Sequence, residues 1–132
     1  MAEQPLLDSD VLIDYLRGAG PGRDLLRSLA SGPGYRVTAV SAFELALGRS
    51  HRENPRPVEA LLSAPVLTLT RAGALRGGAL LAELRRAGKP LDVRDAMQAG
   101  ICLEADALLV TRNVSHFERV PDLRLAEPSE LL

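Results

Sequence analysis

Acidic side chains are the chemistry this chain has to offer. Asp8 ends the apolar run PLLD, Glu44 lies in SAFELALGRS and Asp95 in VRDAMQAGICLEA. An aspartate in a strand-like apolar run is depleted and costly to bury alone, so Asp8 calls for a partner. Three carboxylates drawn into one partly desolvated pocket repel one another unless a cation compensates. With one cysteine and no His-x-x-x-His pair, ligation is all-oxygen, which suits a hard ion, Mg²⁺ or Mn²⁺. The reaction that follows is hydrolysis of a phosphodiester: the ion acidifies a water and polarises the phosphate, and no histidine or serine nucleophile is required.

Structural explanations compete with these. Ser41 and Glu44 fit a Ser-x-x-Glu capping box, and Asp95 complements a helix dipole from its first turn. Asp10 reads as the N-cap of the first helix, and Asp92 as the cap of the helix that carries Asp95. Asp14, with Arg17 three residues on, reads as a solvated helix face, and His51 as solvated between arginines.

The elements that must position the acids follow from periodicity. PLLD, YRVTAV, PVLTLT and ALLVT read as strands, with LRLAEP as a short last one. Between them VLIDYLRG, RDLLRSLA, SAFELALGRS, PRPVEALLSA, AGALRGGALLAELRRAG and VRDAMQAGICLEA read as helices, the fifth weakened at Gly77 and Gly78. Helical crossovers between strands imply a mostly parallel sheet covered on both faces, an α/β fold with three α/β/α layers. In such sheets ligands collect beyond the carboxyl ends of the strands. Asp8 stands at the end of the first strand and Thr111 and Asn113 at the end of the fourth. Glu44 and Asp95 fall in the first turns of helices that follow Ser41 and Asp92, so all five groups face one crevice.

Composition bounds the rest. The 132 residues leave room for one domain, 1–132. No apolar run approaches the roughly 20 residues that span a bilayer and no leader is visible, so the expected location is cytoplasmic. A net charge of −1 argues against gripping nucleic acid by charge alone, and two Phe, two Tyr and no Trp argue against base-stacking platforms. Lys89 is the only lysine among 16 basic residues. Arginine forks suit phosphate, and a compositional habit of the genome explains the same bias. Cys102, in AGICLEA, reads as a buried thiol.

LLDSDVLIDYLRG, TAVSAFELALGR and PLDVRDAMQAGICLEADALLVTRNVSHFERVPDLRL resemble, in order and spacing, the successive motifs of the PIN-domain family, in particular the VapC toxins of toxin–antitoxin pairs. The first and last blocks are specific; the middle one is weak by itself. The resemblance implies a Mg²⁺-dependent endoribonuclease, usually a homodimer, held inactive by a VapB-like antitoxin whose C-terminal segment lies across the active-site groove. It matches Asp8, Glu44 and Asp95 to the three family acids and Asn113 to the fourth polar group, with Ser9 and Thr111 as supporting hydroxyls. Family members often carry an acid where this chain has His116. A second metal is therefore expected to bind weakly or not at all, and His116 is assigned either to substrate phosphate or to a plain surface role. Arg94 and Arg112, flanking the crevice, are assigned to the RNA backbone, where contacts position rather than specify.

Three other readings stay open. One is a PIN fold that has lost catalysis and serves as a binding module. Another is a haloacid-dehalogenase-like phosphatase using Asp8 and Asp10, though the lysine and late acidic pair that family needs are absent from the required places. The last is a phospho-receiver domain, which Thr70 and Ala126 disfavour, since they stand where its phosphorylated Asp and its lysine belong.

Overall fold

The computed structural model describes residues 3–132. Five short strands, β1 (Leu6–Leu7), β2 (Val37–Thr38), β3 (Val66–Leu67), β4 (Leu108–Val110) and β5 (Arg124–Ala126), pair in parallel wherever they meet among the described residues. A parallel bridge between Leu6 and Arg36 joins the β2–β3 pair to the β1–β4–β5 sheet, giving the order β3-β2-β1-β4-β5. The chain therefore builds outward on one side of β1, then returns to build on the other. The break between β1 and β4 is a topological switch point, where the loops that leave the two strand ends diverge and open a crevice.

Helices cover both faces. They are α1 (Ser9–Arg17), α2 (Pro21–Ala30), α3 (Ala39–Leu47), α4 (Arg49–Glu53), α5 (Pro55–Leu61), α6 (Arg71–Arg86), α7 (Val93–Ala105) and α8 (Val114–Phe117). Strand side chains alternate between the faces. Leu7, Val37 and Val110 pack with Val11, Leu12, Leu25, Leu26 and Leu45 from α1, α2 and α3. Leu6 and Leu109, their neighbours along the chain, pack on the opposite face with Cys102 and Phe117 from α7 and α8. This is the expected three-layer arrangement. Among the described residues no helix is long and apolar enough to cross a membrane.

Several boundaries depart from the periodicity. The strand read over YRVTAV is cut to Val37–Thr38, because the Thr38 hydroxyl accepts from the Ser41 N–H and starts α3 at Ala39. Asp8, with extended backbone, is the N-cap of α1, which displaces Asp10 from that role. Asp92 holds the N-cap position of α7 but makes no side-chain capping bond.

The glycines of α6 are not simply weak points. A Cβ on Gly77 would sit 2.6 Å from the Ala96 carbonyl oxygen, and one on Gly100 would overlap the Gly73 carbonyl oxygen, so α6 and α7 approach at backbone contact. Gly78, one residue on, faces open space. The tight seam fixes α7, the helix that carries Arg94, Asp95 and Gln98.

Candidate functional site

The three acids read from the sequence converge, and a fourth side chain holds them. The Arg94 guanidinium donates from Nη2 to Asp8 Oδ1 at 2.6 Å and from Nη1 to Asp95 Oδ1 at 2.9 Å. Its Nε and Nη2 lie 2.7 and 2.6 Å from Glu44 Oε1. Asp8 and Asp95 are almost wholly buried, while Glu44 is partly exposed at the rim. Burial works against the charge on Arg94, but the Asp8 charge and hydrogen bonds to Asp8, Glu44 and Asp95 outweigh it, so the guanidinium is held more firmly protonated than usual. Arg94, assigned from the sequence to an RNA backbone, is instead an internal partner of the acids.

Glu44 is free for this because it closes no capping box. With the helix starting at Ala39, Glu44 lies beyond the first turn and accepts from the Ser9 hydroxyl at 2.7 Å, with Ser41 Oγ 3.0 Å from the same hydroxyl. Beneath the acids lies a polar layer that sequence reasoning missed. Gln98, fully buried, donates to Asp8 Oδ1 at 3.1 Å and to Ser41 Oγ at 3.2 Å. Its own carbonyl oxygen accepts from the Thr38 hydroxyl at 2.5 Å. The signal was available: Gln98 follows Asp95 by three residues, hence shares its helix face, within a stretch otherwise apolar.

On the other flank Thr111, fully buried, donates to Asp8 Oδ2 at 2.9 Å. Asp10 Oδ2 accepts from the Arg112 N–H at 2.9 Å, while its Oδ1 is buried without a partner. Burial first, then the nearby Asp8 charge, pushes the Asp10 carboxyl up to about 6. Asp14 is not a solvated face. It is 4% exposed, accepting from the Gly22 N–H at 3.0 Å and from Arg112 Nη1 at 2.7 Å. Arg112 is thereby anchored with half its side chain still in solvent. Asn113 is exposed at the start of α8 and is tied in through its backbone, its N–H donating to Thr111 Oγ1 and its carbonyl accepting from the His116 N–H. His116, 57% exposed, has Nδ1 4.0 Å from Asp95 Oδ2. It lines a groove of about 140 Å³ with Asp92, Asp95 and Arg119. His51 is partly buried in α4. Cys102 is buried as expected, its thiol pushed up to about 12 by burial and by Asp8.

The donor set fits a divalent cation. Three carboxylates against one guanidinium leave two negative charges uncompensated, all the acid donors are oxygens, and Asp10 adds an orphaned buried oxygen beside them. Among the described residues, no three acidic, histidine or cysteine side chains close on one point as they stand; the three acids are spread around the guanidinium, each bonded to it.

Comparisons with known proteins agree with this architecture. The family model described as "PIN domain" matches residues 6–123. Ribonuclease VapC19 of Mycobacterium tuberculosis is 34% identical over 121 residues, which is 90% of this chain and 96% of that protein. The tRNA(fMet)-specific endonuclease VapC of Shigella flexneri is 33% identical over 93 residues, 67% of this chain and 70% of that one. Among solved structures, DNA-bound VapBC from Salmonella typhimurium superposes with a TM-score of 0.78 at 23% identity, covering 96% of this chain and 99% of that chain. With that domain model spanning nearly all of it and VapC ribonucleases matching along most of its length, the chain belongs to the PIN-domain family, in its VapC branch.

Proposed function

We propose that the chain is a metal-dependent endoribonuclease, the toxin of a toxin–antitoxin pair, built as a single PIN-like domain and working in the cytoplasm. The observation that carries the reading is the meeting of Asp8, Glu44 and Asp95, from a strand end and two helices, within hydrogen-bond reach of one cationic group. Those three acids would hold Mg²⁺ or Mn²⁺. A divalent ion bound there supplies a more acidic water and charge for the scissile phosphate.

The chain's own residues do the rest. Gln98 and Thr111 fix both oxygens of Asp8 from below and from the side, so that its carboxylate cannot rotate away. Ser9 orients Glu44. Arg112, braced by Asp14, presents its exposed edge where an RNA backbone would pass, with Asn113 and His116 beside it as polar contacts for substrate. Such contacts position the chain of the RNA and leave base choice to unstacked loops.

Partners are supported by exposed apolar side chains. Phe43 and Leu47, each 69% exposed, stand one turn apart on α3, and Leu75 is 68% exposed on α6. A cognate VapB-like antitoxin and a second copy of this chain are the occupants we assign to such surfaces.

The test is cleavage of structured RNA by the purified chain with Mg²⁺ or Mn²⁺. Asp8→Ala and Asp95→Ala are expected to abolish cleavage, as chelation should, and to relieve growth arrest on expression. Wild-type protein that leaves RNA uncut with either ion supplied would support instead a PIN-fold binding module, the reading that the filled position of Arg94 favours.

A further inference from the structure

Arg94 occupies the place that the acids would offer to an ion. The oxygens it binds, Asp8 Oδ1, Glu44 Oε1 and Asp95 Oδ1, are one from each acid, and its nitrogens lie 2.6–2.9 Å from them. The same Nη2 also reaches Ser9 Oγ at 2.9 Å. An Mg²⁺ ion drawing those oxygens in to about 2.0–2.1 Å would need the space between them that the guanidinium takes. Both cations cannot use them at once.

Resting on the metal-dependent reading above, we propose that Arg94 and a divalent cation compete for the three carboxylates. The guanidinium braces the acids before the ion arrives and is released toward solvent when it binds. The geometry allows the exchange. Gln98 and Thr111 hold Asp8 independently of Arg94, and Ser9 holds Glu44, so these two acids stay anchored when the guanidinium leaves. The Arg94 side chain is 26% exposed, so its way out is not sealed. Arg94 is thus a positioning residue: it suppresses mutual repulsion in the metal-free chain and sets a threshold of ion concentration for loading.

The experiment is calorimetric titration of the full chain with Mn²⁺, together with thermal unfolding with and without the ion. Where an arginine fills the site most of the time, apparent affinity falls by the fraction of chains left open, so Arg94→Met is expected to tighten Mn²⁺ binding by about tenfold. It should also lower the unfolding temperature without metal and enlarge the upward shift that Mn²⁺ gives. Arg94→Lys, which keeps a charge but loses the fork, should fall between. In wild-type protein labelled with ¹⁵N, the Arg94 Nε–H resonance, assigned through its own side-chain connectivities, should move and exchange faster with water as Mg²⁺ saturates, because its bond to Glu44 breaks. That measurement needs no variant to fold. Equal or weaker Mn²⁺ binding in Arg94→Met, or an Nε–H resonance unmoved at saturation, would overturn the competition while leaving the metal site standing. A wild-type chain that takes up no Mn²⁺ at all would overturn both.

Discussion

Two neighbouring glycines in one helix should respond to the same substitution with opposite signs. In an exposed helix interior, Gly→Ala stabilises by about 0.4–1 kcal/mol, because alanine is the better helix former and the unfolded chain loses freedom. Gly78 has open space around the position of a Cβ, so Gly78→Ala should show that gain. At Gly77 the new methyl would sit 2.6 Å from the Ala96 carbonyl oxygen, where ordinary contact begins at 3.4 Å, so the helices must part by about 0.8 Å, the difference of the two distances. Overpacking of that kind costs about 1–3 kcal/mol, and its middle value of about 2 set against a gain of about 0.7 leaves a net loss of about 1 kcal/mol. Urea denaturation of the two variants beside wild type measures both. A Gly77→Ala protein as stable as Gly78→Ala would refute the backbone contact between α6 and α7. The same variants carry a functional readout, since Ala96 adjoins Asp95. If α7 yields, a displacement approaching an ångström at the acids should slow RNA cleavage by about 10- to 100-fold. If α6 yields, stability falls while cleavage holds.

Gln98→Leu should destabilise the chain by about 1–3 kcal/mol in urea titrations, because the buried Thr38 hydroxyl loses its acceptor and Asp8 a donor; an unchanged midpoint would show that the layer beneath the acids is not load-sharing. Asp14→Ala strands the Gly22 N–H and releases Arg112, and thermal unfolding should report a loss of about 2 kcal/mol, modest for a buried carboxylate since Arg112 is half in solvent. Cys102, buried and with its thiol pushed up to about 12, should resist a maleimide for hours at neutral pH in the folded chain and react within minutes in urea. Rapid labelling of folded protein would place the thiol nearer the surface than its packing with Leu6 and Phe117 allows.

How much of this was legible in the sequence depends on whether a feature lives within one element or between several. The elements themselves are visible, because a strand run and a helical stripe each carry their own period. Asp8 is visible too, since an aspartate ending an apolar run breaks the pattern around it. The errors lie where one local pattern had two solutions. Ser41 and Glu44 satisfy the capping-box spacing, yet Thr38 offers a hydroxyl three residues earlier, and the Ser41 N–H goes to it, which moves the helix start and frees Glu44. Asp14 has Arg17 at helical spacing, but it pairs with Arg112, 98 positions away, across a turn that the period of α1 cannot report.

Arg94 illustrates the deeper limit. Its partners are 86 positions away at Asp8 and 50 away at Glu44, and no spacing connects them. What connects them is strand order. Because β1 lies between β2 and β4, the residue after β1 neighbours the helix that follows β2 on one side and the loop that follows β4 on the other. Asp8 therefore has Ser9, bonded to Ser41 and Glu44, on one flank and Thr111 on the other, with α7 laid across the opening to supply Arg94, Asp95 and Gln98. Right-handed crossovers narrow the orders a parallel sheet can take, but they do not say which strand is central. A sequence that names its acids thus leaves open which basic side chain will face them. Here the basic residue beside Asp95 in sequence is the one that also reaches the other two acids.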